Sequence, residues 1–443
     1  MHYYSTRSKT KAVSFTTAAL EGLAPDGGLY VPETIPQYST TVKNSLATMD
    51  FSSLAFETIY PFVSADIPPS VLEIIVHEAF SFPAPVVPVA DRLILELFHG
   101  PTAAFKDFGA RFMARIFSYV RRGEDKALHI LVATSGDTGG AVAAGFLGIE
   151  GINVTVLYPH GRVSPLQERQ IAGLGANIRA LAVEGSFDDC QRLVKAAFSD
   201  PVLKKQHNLS SANSINVSRL IPQIPYYSAS AAKVFAGRCD ADEEATPRKH
   251  KLLNPQLLKE KSGKQAIISV PSGNFGNLTA GLYAKKMGAP IQSFIAATNA
   301  NKIIPNYLES GYYEVQPTKK TLSNAMDVGN PSNFERMAAH FSLTALRECM
   351  IGISVSDNET KHIIQSVFNT EQYFLDPHTA VGYRASHRAA LPVIVLATAH
   401  PAKFADIVEP LTETIPVPAS LTIQRNPQKQ IIPADLSALM EFL

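Results

Sequence analysis

The chain has 443 residues, 46% hydrophobic and 18% charged, with a formal net charge of +1. That length allows a large buried core in two or three domains. The near-neutral balance gives no reason to expect nucleic acid or membrane lipid as a partner.

The first residues, Met1 to Arg7, lack the apolar stretch of a secretory signal, and no apolar run is long enough to cross a bilayer. A cytoplasmic protein is the expectation. Residues 14 to 90 read as mainly helical, so 1–92 is expected to form an N-terminal helical domain. Ser14 can cap a helix through Ala18 and Leu20, and Gly22 can end it. Pro25-Asp26-Gly27-Gly28 is a turn leading into a short extended piece, Leu29 to Pro32. The spacing of Pro83, Pro85 and Pro88 predicts a linker.

An apolar run, Leu93 to Leu97, then breaks at His99-Gly100-Pro101, and an amphipathic helix follows through Ile116 and Val120. Further strands are predicted at Leu128–Ala133, Asn153–Leu157, Ile178–Val183, Ile267–Val270 and Phe294–Ala297. Helices are expected between them, at Ala141–Phe146, Pro165–Leu174 and around Asp188–Phe198. Strands alternating with helices of this length indicate crossover units on parallel sheets. An α/β body is therefore expected from residue 93 onward. The charged stretch Gly237 to Lys264 breaks the rhythm and reads as a solvated insertion. Beyond it come helices at Ser332–His340 and about Asn358–Phe368, a buried strand at Val393–Ala397, and a short helix after Pro433.

Three segments could carry chemistry, each opening a helix after a strand, where unpaired N–H groups favour an anion. The first holds Lys106 among Ala103, Ala104, Phe105 and Phe108. An amine with few charged neighbours loses proton affinity on burial, as a nucleophile at neutral pH requires. The same residue, taken alone, reads more readily as a surface lysine whose stem covers apolar rings. The second segment is Thr134-Ser135-Gly136-Asp137-Thr138-Gly139-Gly140, suited to a carboxylate or phosphate. The third is Ser272-Gly273-Asn274-Phe275-Gly276-Asn277, which could cradle a phosphate on backbone amides. Each loop alone is also an ordinary turn. Together, two anion loops and an apolar lysine are the parts a pyridoxal-phosphate enzyme needs.

Other chemistries find less support. The cysteines, Cys190, Cys239 and Cys349, show no paired spacing, and no His-Glu-X-X-His is present, so neither disulfides nor a metal site is expected. No Gly-X-Ser-X-Gly elbow occurs, and the glycines of Thr134 to Gly140 do not form a dinucleotide fingerprint.

Several segments, in one order, resemble the threonine synthase family. They are Gly22 to Pro32, His99-Gly100-Pro101-Thr102 with Phe105-Lys106-Asp107, Thr134 to Gly140, Asn213-Ser214-Ile215-Asn216, Ser272 to Asn277, Asn324 to Asp327, Asp376 to Ala380, and Thr398 to Lys403. The resemblance implies the tryptophan-synthase-β-like fold, with pyridoxal 5'-phosphate between two parallel-sheet α/β domains, over 93–230 and 231–443. It implies that Lys106 carries the cofactor as a Schiff base and that Gly273, Asn274, Phe275, Gly276 and Asn277 bind its phosphate. Thr398 would face the pyridine nitrogen, or else be a strand-end hydroxyl satisfied by backbone. Ser135, Gly136, Asp137 and Thr138 would hold the substrate carboxylate. Ser214, Asn216 and Arg219 would hold the substrate phosphate, although Arg219 also reads as a paired surface arginine. The implied reaction converts O-phospho-L-homoserine and water into L-threonine and phosphate, in a monomer or homodimer. A related phospho-lyase releasing 2-oxobutyrate, and a non-catalytic amino-acid or phosphate sensor, are the rival expectations.

Overall fold

The structure, a computed structural model, describes residues 1–240, 262–389, 392–422 and 426–443. Two sheets of mainly parallel strands organise them. The larger runs Met350–Ser354, Ile291–Thr298, Ala266–Pro271, Val393–Ala397, Arg92–Glu96 and Val86–Val89. The smaller runs Gln430–Pro433, Ile178–Glu184, Ile152–Pro159, Leu128–Ala133 and Leu209–Ser211. Strands such as Leu128–Ala133 and Val393–Ala397 are buried at every residue, which explains their mostly apolar sequence; the one polar residue in the two, His129, meets Thr155 Oγ1 at 2.8 Å.

The expected N-terminal helix is present at Phe15–Glu21. Ser14 Oγ accepts the Thr17 amide at 3.2 Å, and Gly22 ends the helix at a φ of +71°. One apolar cluster runs from Tyr3, Phe15 and Phe62 to Phe108, Phe112 and Tyr226. The N-terminal helices thus share a core with the Lys106 helix and cover it. Among the described residues, no helix is long and apolar enough to cross a membrane.

Two expectations meet a different arrangement. The proline-spaced segment is not a linker: Val86–Val89 is a strand antiparallel to Arg92–Glu96, with Pro88 opposite Leu93. An edge strand tolerates proline because its outer side needs no ladder donor. Val86 is covered there instead, its amide donating to Asp240 Oδ2 at 2.7 Å. Nor do the sheets divide at residues 92/93 and 230/231. Arg92–Glu96 pairs with Val393–Ala397 in the larger sheet, while Gln430–Pro433 returns to the smaller one. Strand partners are chosen by long-range hydrogen-bonding edges, which local periodicity does not encode. Most of the expected insertion, residues 241–261, lies outside the described residues. Its far flank is pinned by the Gly263 amide on Phe235 O at 2.8 Å.

Candidate active site

Lys106 opens the helix Lys106–Val120. The turn before it is held tightly, with Ala103 at a φ of +53° and its amide on Gly100 O at 3.0 Å. The Thr102 amide and hydroxyl donate to Asp107 at 2.8 and 2.6 Å, and burial pushes the Asp107 carboxyl up against the pull of those bonds. The turn is stitched to the end of Val393–Ala397: the Phe105 amide donates to Thr398 O at 2.9 Å, and the His400 amide to Ala103 O at 3.0 Å. Thr398 is therefore brought against the lysine turn, with its own residue buried. The Lys106 side chain keeps 17% exposure, and its Nζ lies 4.9 Å from the Phe105 ring centroid. Burial pushes the ammonium down from the ordinary lysine value. Asp137 opposes this, while Lys403 and Arg219 reinforce it.

The second segment joins Leu128–Ala133 to the helix Asp137–Phe146. Thr134 Oγ1 accepts the amides of Gly136 and Gly139 at 3.0 and 2.9 Å, which folds the loop around its own hydroxyl. Gly136 has a φ of +147°, and a Cβ there would collide with the Gln167 amide, so only glycine fits. The Asp137 side chain is engaged by other side chains of the protein. Its Oδ1 accepts from Lys403 Nζ at 2.8 Å and Gln167 Nε2 at 3.0 Å, and its Oδ2 is 4.0 Å from Lys106 Nζ. Burial alone would raise this carboxyl, but Lys403 and then Lys106 hold it well below the usual carboxylate range. An anion at this helix start would meet backbone amides and the half-buried Ser135 and Thr138.

The third segment follows Ala266–Pro271 and opens the helix Gly276–Met287, with Phe275 left-handed at a φ of +59°. A Cβ on Gly273 would lie 2.6 Å from Met326 Cα, so the backbone of the 324–326 turn leaves no room for a side chain. The Asn274 side chain is committed to scaffolding. Its Nδ2 donates to Ser214 Oγ at 2.6 Å, and its Oδ1 accepts the Ser332 amide and hydroxyl at 2.6 and 2.8 Å. Asn277 Oδ1 accepts from Tyr226 and Tyr227 at 2.6 and 2.7 Å, but its Nδ2 is buried with no partner in the protein. A spare donor in the first turn of a helix is what a phosphate oxygen would satisfy.

Ser214 and its neighbour join the two anion loops. Asn213 Nδ2 donates to Ala133 O at 2.9 Å, immediately before Thr134, while Ser214 Oγ receives Asn274. Asn216, expected to face substrate phosphate, is fully buried and spent elsewhere. Its Nδ2 donates to Ala19 O at 2.7 Å and Ser211 O at 3.0 Å, and its Oδ1 accepts from Ser218. Arg219 is not a surface arginine. It is buried, donates Nη1 to Ala212 O at 2.6 Å, and leaves Nε unpartnered; burial pushes it down to about 10, with Asp107 opposing.

Three further residues, of which no role was expected, make contact with these segments or lie beside them. Lys403 is buried between Asp137 and Thr102 O, each at 2.8 Å. Its signal was an apolar setting, Pro401-Ala402-Lys403-Phe404, much like that of Lys106. Asp376 and His378 face each other at 2.8 Å, and His378 Nε2 accepts the Ala325 amide at 3.2 Å, steadying the turn beside Gly273.

A depressed amine, a helix start with an orphaned amide donor, and a glycine pressed on backbone fit a pyridoxal phosphate group. The comparisons with known proteins agree. The chain matches the model described as "Threonine synthase N terminus" over residues 2–80, "Pyridoxal-phosphate dependent enzyme" over 93–393, and "Threonine synthase, C-terminal" over 379–442. It is 41% identical to the threonine synthase of Escherichia coli (strain K12), covering 100% of this chain and 99% of that one. With the threonine synthase of Haemophilus influenzae it shares 43% identity, over 94% of each chain. The crystal structure of the Escherichia coli threonine synthase superposes with a TM-score of 0.87 at 40% identity, covering 100% of this chain and 99% of that chain. That of the PLP-bound threonine synthase from Brucella melitensis gives 0.87 at 36%, covering 100% and 98%. The chain belongs to the threonine synthase family of pyridoxal-phosphate-dependent enzymes.

Proposed function

We propose that this chain converts O-phospho-L-homoserine and water into L-threonine and phosphate. The observation that carries the reading is the placement of the Lys106 amine 4.0 Å from Asp137, at a turn stitched to Thr398 and beside two anion loops that Asn213 and Ser214 tie together. When bound, pyridoxal 5'-phosphate supplies an electron sink that stabilises carbanion character on an attached amino acid.

The chain's own groups divide the remaining work. Lys106 holds the cofactor through its ε-amine, and once released it serves as the base that moves protons at the substrate's α- and β-carbons. The backbone of Gly273, Asn274, Phe275 and Gly276, with Asn277 Nδ2, receives the cofactor phosphate. Thr398 presents its hydroxyl toward the ring. The amide of Asp137 and the hydroxyls of Ser135 and Thr138 receive the substrate carboxylate, on a turn that Gly136 shapes while its own amide serves Thr134. Ser214 accepts from Asn274 and so keeps its own hydroxyl hydrogen for the substrate phosphate, with Arg219 adding positive charge from within the core. Asn216 is left out of the assignment because its amide is engaged in the scaffold. Three free cysteines support a reducing, cytoplasmic setting.

The test is product identification after incubating the cofactor-loaded protein with O-phospho-L-homoserine. Threonine and phosphate in equal amounts are expected. Release of 2-oxobutyrate and ammonia would make the protein a phospho-lyase, and no product with no visible absorbance would make it a sensor.

A further inference from the structure

The Asp137 carboxylate is shared unequally between two lysines. Lys403 Nζ takes Oδ1 in a direct 2.8 Å contact, Gln167 shares that oxygen at 3.0 Å, and Lys106 stands off at 4.0 Å from Oδ2. Lys403 also donates to the carbonyl of Thr102, whose amide and hydroxyl hold Asp107 beside Lys106. One ammonium thus links the segment after Thr398, the turn that carries Lys106, and the start of the helix Asp137–Phe146. A buried lysine so placed costs desolvation, and it is retained only where its partners satisfy it.

We propose that Lys403 is a positioning residue that occupies Asp137 and so keeps that carboxylate from forming a close ion pair with Lys106. This rests on the function reading above, in which Lys106 must act as a free amine. Without Lys403, Asp137 has one cation left within reach, and in a dry site that pair would close and hold Lys106 protonated. The charged groups that bear on Lys106 are Asp137, Lys403, Arg219 and Asp376. Asp376 is committed to His378 and Thr379, and Arg219 to Ala212 O. Asp137 is therefore the carboxylate free to shift, and Lys403 sets how far.

The test uses full-length protein stripped of cofactor and follows its capture of pyridoxal 5'-phosphate by absorbance between about pH 6 and 10, where the amine titrates. The ligand's own titration is common to every variant, so a moved midpoint reports the protein's amine. Lys403→Met is expected to raise the midpoint by about one pH unit or more, the size of one close charge interaction. Lys403→Arg is expected to keep it near the unaltered value, and adding Asp137→Asn to Lys403→Met should bring it back down. A loss of packing alone would alter the plateau and leave the midpoint in place. A folded Lys403→Met protein with an unmoved midpoint overturns the proposal. Should Lys403→Met not fold, Lys403→Gln decides by the same readout: a raised midpoint supports the proposal and an unmoved one overturns it. If the unaltered protein captures no cofactor, the function reading falls, and this inference falls with it.

Discussion

The amide of Phe105 donates to the carbonyl of Thr398 at 2.9 Å, so the residue before the candidate nucleophile is fastened to the end of a strand almost three hundred positions later. Ala104 and Ala399 form a bridge at the same place. Lys106 is thereby fixed against the larger sheet while its helix packs on Asp137–Phe146, the helix that follows a strand of the smaller one, with Phe117 edge-on to Phe146. Its geometry depends on both.

Lys106→Ala is expected to remove the visible absorbance of bound cofactor and to lower turnover at least about a hundredfold, the range for losing a positioned acid–base group. Absorbance and threonine formation measured on the same sample check both. A yellow, active variant would remove Lys106 from its role.

Gly273→Ala places a Cβ 2.6 Å from Met326 Cα and 3.0 Å from Ala325 O. Both are backbone atoms, so the loop or the facing turn must move. Overpacking of this kind costs about 1–3 kcal/mol, which, taken from binding, corresponds to a loss of roughly five- to 150-fold in cofactor affinity. Titration of stripped protein with pyridoxal 5'-phosphate reads the effect, and an unchanged dissociation constant would mean that the loop does not hold the phosphate.

Asn216→Ala should act on stability rather than on substrate. It strands the carbonyls of Ala19 and Ser211 and uncaps the helix start at Ser218, all buried. The expected loss is about 2–4 kcal/mol, read from the denaturant midpoint, with KM for O-phospho-L-homoserine nearly unchanged. A raised KM at full stability would return Asn216 to the substrate site.

Asp137 gives a pH signature. Its folded carboxyl is held below the usual range, so below about pH 4 the unfolded chain binds a proton that the folded chain refuses. Its stabilisation is therefore present above about pH 4 and is lost as pH falls toward the depressed folded value, with a slope of about 1.4 kcal/mol per pH unit. Asp137→Asn is expected to flatten that part of the acid-stability curve. Denaturant unfolding at pH 5, 4 and 3, each chosen as about the window named, checks this. Parallel curves would show that the carboxyl is not held down by its lysines.

Much of the local architecture was legible in the residues. Ser14 and Gly22 bracket the first helix because a hydroxyl can accept an end amide and glycine can take a left-handed angle at little cost. Leu128–Ala133 and Val393–Ala397 announce themselves because strands buried on both faces are apolar at nearly every position, His129 being the one exception in the two. Val86–Val89 was hidden by its prolines, which an edge strand accommodates. Arg219 and Asn216 sit in polar-looking segments, yet each is buried by contacts from elsewhere in the chain. No pattern in their own neighbourhood reports that.

The amino-acid order by itself determined the helix starts, the buried strands, the two anion loops and the apolar setting of Lys106, since each depends on residues a few positions apart. The tertiary structure alone decided that Asp137 pairs with Lys403, that the side chains of Asn274 and Asn216 are taken up by other parts of the chain, and that Arg92–Glu96 joins the larger sheet. Those outcomes turn on which distant groups compete for the same hydrogen-bonding atoms. That competition is settled only when the chain closes, because a buried polar group must take whatever partner packing brings within reach.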